Sequence, residues 1–127
     1  IPGISGWNTE NVKYFAATFY NLYSLESLDL SNWDDSSLIP GMLVDGIGYS
    51  GDIVGSSYGT VKSLKSFTVG AKWSNPGYLA KRIELASSST VPTDGKWYAA
   101  SDGAACESTA IPGNRADTYY TTKTLLD

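Results

Sequence analysis

The sequence predicts an α/β fold: a short solenoid built on a parallel sheet and closed by a small antiparallel β cap. Three observations carry that expectation. Ile4-Ser5-Gly6-Trp7-Asn8 matches Leu30-Ser31-Asn32-Trp33-Asp34 at an offset of 26 residues, and Val12 falls on Leu38 at the same offset. Leu25-Glu26-Ser27-Leu28-Asp29-Leu30 matches Leu64-Lys65-Ser66-Phe67-Thr68-Val69 at an offset of 39. Both members of the second match carry the spacing L-x-x-L-x-L, with Asn32 close to the polar ladder position, which makes the repeat leucine-rich-repeat-type. One short strand with one return segment cannot bury its own apolar side, so stacked copies must bury it against each other.

The repeats are expected over residues 1–90 and the cap over 91–127. Pro2-Gly3-Ile4 aligns with Leu28-Asp29-Leu30, which makes the first residues the remnant of a repeat strand of a longer protein, with an edge open to self-association. Asn8 or Thr9 caps a helix over Glu10–Tyr23, because Val12, Phe15, Phe19 and Leu22 recur on one face. Leu28–Leu30 and Phe67–Val69 then become parallel neighbours that turn one apolar face inward. Between them lies a glycine-rich insertion at about 39–62, where Gly41, Gly46, Gly48, Gly51, Gly55 and Gly59 favour turns. Val91-Pro92-Thr93-Asp94-Gly95 opens the cap as a turn, and Lys96-Trp97-Tyr98-Ala99 follows as a strand. Ser101-Asp102-Gly103 and Ile111-Pro112-Gly113-Asn114 are two more turns before the β-prone run Thr118–Thr122.

Composition narrows the chemistry. The chain has 127 residues and a net charge of −4 without a basic run, which argues against recognition of nucleic acid through phosphates. No stretch reaches the ~20 apolar residues of a membrane span. There is no His, so the commonest proton-transfer residue near neutral pH is missing, and the single Cys106 can form neither an internal disulfide nor a thiolate cage. Asp34, Asp35, Asp45 and Asp52 carry oxygen ligands of the kind Ca²⁺ takes, but not in EF-hand order. Glu84 and Glu107 offer carboxylates for glycoside hydrolysis without a motif that sets their separation. No cofactor, metal site or catalytic residue is therefore assigned.

Binding residues follow from strand phase. Side chains between the apolar positions of the repeat strands face the open side of the sheet: Ser27, Asp29 and Ser31, then Ser66 and Thr68. In the pairs Trp97-Tyr98 and Tyr119-Tyr120 one aromatic is buried and the other exposed, and Tyr98 and Tyr119 are taken as the contact residues. Trp7 and Trp33, at equivalent repeat positions, are expected to stack on each other.

The segments Ser5–Val12 and Leu25–Asp34 resemble the BspA-like leucine-rich-repeat proteins of bacterial surfaces. Asp94-Gly95-Lys96-Trp97-Tyr98, Ile111-Pro112 and Ala116–Tyr120 are similar to the module that often closes those arrays. The resemblance implies a secreted or surface-attached bacterial protein. Its role would be non-enzymatic adhesion, with an extracellular protein or glycan as partner. The alternative is a carbohydrate-binding module or carbohydrate-active enzyme that uses the Trp, Tyr and acidic residues.

Overall fold

A computed structural model describes residues 4–11, 26–37, 63–86 and 95–126. The expected helix over Glu10–Tyr23 lies outside the described residues from Val12 on, and so does the glycine-rich insertion. Among the described residues five strands form one mixed sheet: β1 (Ser27–Leu30), β2 (Ser66–Val69), β3 (Trp97–Ala99), β4 (Ala105–Cys106) and β5 (Asp117–Tyr120), in the spatial order β1-β2-β5-β3-β4. Helix α1 (Pro76–Ala86) follows β2, and the short helix α2 (Lys123–Leu126) follows β5. Among the described residues no helix is long and apolar enough to cross a membrane.

β1 and β2 pair in parallel, with Leu28 opposite Phe67 and Leu30 opposite Val69, which is the offset of 39 read from L-x-x-L-x-L. The solenoid is nonetheless corrected. The far edge of β2 is occupied by β5 running antiparallel, so no further parallel strand follows β2, and among the described residues the parallel array is one pair. β5 also pairs with β3, and β3 with β4, so the strands expected as a separate closing cap continue the same open sheet. The physical reason is complementarity of apolar rows. Leu28, Phe67, Tyr119 and Ala99 come into register across four strands, all buried, and an antiparallel β5 places Tyr119 opposite Phe67 as a further repeat strand would have placed a leucine.

That buried face holds the core. Phe67 meets Trp97 edge-on at a centroid distance of 5.0 Å and Tyr119 at 5.4 Å. α1 adds Leu79, Ala80 and Ile83 to the same cluster. The helix starts where Asn75 caps it, its Oδ1 accepting the Tyr78 amide at 3.0 Å, with Pro76 supplying a first position that needs no amide partner. Glu84 anchors α1 to the sheet by accepting the Trp97 indole N–H at 2.8 Å.

Four turns stack side by side at the carboxyl end of the parallel pair. Three share one geometry, in which a Trp amide donates to the carbonyl three residues earlier: Trp7 to Ile4, Trp33 to Leu30 and Trp73 to Gly70. Ile4–Gly6 is a 3-10 turn rather than strand, so the expected strand remnant is a turn layer at Ile4, and residues 1–3 lie outside the described residues. The Thr9 hydroxyl accepts the Asp34 amide at 2.7 Å, and the Trp33 indole N–H donates to the Ile4 carbonyl at 2.8 Å. The fourth turn closes on the third. The Asn114 amide donates to the Trp73 carbonyl and its side-chain amide to Ala71, with Asn114 at a φ of 55°. Packing between layers is tight: a Cβ on Gly70 would stand 1.8 Å from the Ser31 carbonyl oxygen, and one on Gly113 would stand 2.1 Å from that of Ser74.

Candidate functional site

The sheet has a second, polar face, and strand phase decides what lies on it. The register puts Ser27, Ser66, Tyr120, Tyr98 and Ala105 in one row across all five strands. A second row carries Asp29, Thr68 and Thr118. Alternation produces this surface: Asp29, Thr68 and Tyr98 each sit between two core residues on their strands, and the other members follow in register. Ser27 and Asp29 on the outer strand are exposed, whereas Ser66, Thr68, Thr118, Tyr98 and Tyr120 are half-buried.

Hydrogen bonds organise it. The Thr68 and Thr118 hydroxyls meet at 2.8 Å, tying β2 to β5 on the polar side where the Phe67–Tyr119 contact ties them on the other. The Asp29 carboxylate accepts the Ser31 amide at 3.0 Å, an Asx-type turn that leads the chain off β1 and puts Ser31 in the turn rather than on the strand. Lys65 and Glu26 pair at 3.0 Å just before β2 and β1, an exposed contact that adds little to stability.

Of the residues expected to bind, Ser27, Asp29, Ser66, Thr68 and Tyr98 therefore share one face, and Ser31 borders it. Tyr119 is corrected. It is 1% exposed, on the opposite face, packed on Phe67 as core, and burial pushes its hydroxyl up to about 12. The aromatic that joins Tyr98 is its neighbour Tyr120, and Thr118 completes the second row. Alternation along Thr118-Tyr119-Tyr120 groups Thr118 with Tyr120 against Tyr119 without saying which side is buried. What decides the phase is a tertiary fact, that Tyr119 is opposite Phe67.

The remaining candidates are engaged in structure. Asp35 is buried and accepts the Ser74 amide and hydroxyl, while Asp34 accepts the Ser36 amide, and hydrogen bonding by Ser36 lowers the Asp34 pKa. Asp45 and Asp52 lie outside the described residues. Among the described residues no three acidic or Cys side chains are gathered closely enough to hold a metal ion. Glu84 holds the Trp97 indole, and Glu107 pairs with Lys96 at 3.6 Å on the surface. Burial raises the Cys106 thiol, away from the thiolate that nucleophilic or redox chemistry needs. Asp117, whose side chain is 2% exposed, accepts the Ser101 amide and hydroxyl and the Arg115 guanidinium. That cluster locks the Ser101-Asp102-Gly103 turn onto the start of β5. A shallow depression of ≈ 280 Å³ lies beside the start of α1, lined by Asn75, Gly77, Tyr78, Lys81, Thr109 and Ile111.

Trp7 and Trp33 stack as expected, with centroids 6.1 Å apart and planes at 18°. Trp33 is fully buried and Trp7 is 52% exposed, so the pair bridges core and surface. No family model, no curated protein and no solved structure matches the chain.

Proposed function

We propose that the chain is a non-catalytic recognition module of a bacterial surface protein, and that it engages an extracellular protein through the polar face of its sheet. One observation carries the reading: Tyr120 and Tyr98 come into register with Ser66 and Ser27 in a single row. A surface of Ser, Thr and Asp alone has no anchors of the kind that dominate binding energy. Two adjacent tyrosines among serines and threonines change that. Tyr supplies large, amphipathic contact area at low conformational-entropy cost, and the hydroxyls around it supply adaptable hydrogen bonds, as in antibody paratopes. Placement at a bacterial surface rests on the resemblance of residues 5–12 and 25–34 to surface proteins.

The test is an array of host extracellular proteins and glycans probed with the wild-type chain and a Tyr98→Ser/Tyr120→Ser variant. Saturable binding to a protein, lost in the variant while its thermal unfolding stays cooperative, is the expected result. Equal binding of both chains to an arrayed protein, or turnover of an arrayed substrate, contradicts the reading.

A further inference from the structure

The end of the turn stack presents an indole in an unusual state. Trp7 is 52% exposed although its ring is held on one side: Trp33 stacks against it at 18°, and the Trp33 indole N–H is tied to the Ile4 carbonyl at 2.8 Å. The backbone on either side is pinned as well. The Trp7 amide donates to Ile4, the Thr9 hydroxyl accepts the Asp34 amide, and the Ser37 hydroxyl donates to the Glu10 carbonyl. Trp33 thus backs the ring from within, and half of the Trp7 surface is left open.

Size and surroundings select the occupant. Half of a Trp surface is roughly 130 Å², far below the ~800 Å² per partner of a stable protein interface. Among the described residues the other large apolar side chain that is exposed is Leu125, on α2, and the described neighbours of Trp7 in sequence add no apolar patch to it. The adjoining Asn8, Glu10 and Asn11 are exposed and polar. A braced aromatic plane flanked by amides and a carboxylate suits a sugar ring, whose C–H face lies on the indole while its hydroxyls reach the polar side chains. Glu10 and the net charge of −4 disfavour acidic sugars. Because the plane is already fixed, little ordering opposes binding.

We infer that Trp7 is the platform of a second binding site, separate from the sheet face, that takes one unit of a neutral pyranose chain. The experiment follows the Trp7 indole N–H resonance of the full chain while cellohexaose, chitohexaose or hexagalacturonate is added. One of the two neutral hexaoses should shift it with a dissociation constant of about 1 mM or tighter. Because the variants lack the indole, they are followed instead on the backbone amide resonances of Asn8 and Glu10: Trp7→Ala should weaken that binding about tenfold or more, and Trp7→Tyr should restore most of it. The Tyr98→Ser/Tyr120→Ser variant should titrate like the wild type, which separates this site from the proposed protein-binding face. The inference is overturned if neither neutral hexaose moves the resonance, if hexagalacturonate binds better, or if Trp7→Ala binds as the wild type does. A resonance that moves on dilution of the protein alone also overturns it, because a second copy then covers the ring.

Discussion

The Asp35 carboxylate accepts the amide of Ser74 at 3.0–3.1 Å and its hydroxyl at 2.7 Å, joining the turn after β1 to the turn after β2. Asp35 is buried and Ser74 is exposed, so the bonds are partly shielded from water. Asp35→Ala leaves the Ser74 donors short of their acceptor and should destabilise the chain by about 1–3 kcal/mol. Asp35→Asn, which keeps one carbonyl acceptor, should lie between. Urea unfolding of the three proteins measures the ordering, and an Ala variant as stable as wild type would show that the turns are held by packing alone.

Layer packing is tested at glycines. A Cβ at Gly70 meets the Ser31 carbonyl at 1.8 Å, whereas one at Gly6 meets nothing within 4 Å. Gly70→Ala should cost about 2–3 kcal/mol, because backbone rather than a flexible side chain must move. Gly6→Ala should stay within about 0.5 kcal/mol of wild type. Thermal unfolding of both variants distinguishes them.

Tyr119 predicts an alkaline limit. Its hydroxyl titrates near 12 in the folded protein because burial opposes the phenolate, and near ~10 once unfolded. Between those values the unfolded chain has given up the proton while the folded one keeps it, so stability falls as pH rises. The stabilisation is complete below about pH 10, and on the order of 2 kcal/mol is lost on passing through 12. Tyr119→Phe should remove that part of the slope, seen by comparing urea midpoints at about pH 9 and pH 11.5. The Tyr119 hydroxyl is buried with no hydrogen-bond partner, so the same substitution should be neutral or stabilising by up to about 1 kcal/mol near pH 7.

The cap of α1 is a separable contribution. Asn75→Ala removes the acceptor of the Tyr78 amide and should destabilise by about 1 kcal/mol, with Asn75→Ser or Asn75→Asp recovering most of it. Thermal midpoints of the series settle the order, and an Ala variant that unfolds with the wild type counts against the cap.

How far the fold could be read from sequence depended on whether a signal was local. The parallel pairing of Leu28 with Phe67 follows from spacing, since identical phase buries identical faces, whereas the match of Ile4 to Leu30 suggests a strand remnant where a 3-10 turn stands. Helix α1 had a local signal too, in Asn75-Pro76 followed by Leu79, Ala80 and Ile83, but the repeat pattern names no element there. The run from Thr118 to Tyr120 reads as a strand, yet nothing in it states which strand it joins. Pairing with β2 depends on Tyr119 fitting against Phe67, a relationship between positions about fifty residues apart. The same gap separates the two tyrosines of the candidate site. Tyr98 was identifiable by phase, but its partnership with Tyr120 exists only once β5 lies beside β3.

Strand order has a consequence for biosynthesis. β5 is fifth along the chain and third across the sheet, the strand that joins the β1-β2 pair to the β3-β4 pair. A ribosome delivers β1 to β4 before it, so the growing polypeptide carries two half-sheets, each with an unpaired inner edge, until residues 117–120 clear the exit tunnel. During that interval the Phe67 and Trp97 faces await Tyr119, and the nascent chain is at its most vulnerable to strand-exchange with its neighbours. A chain truncated before Asp117 therefore keeps both inner edges open and should be prone to aggregate.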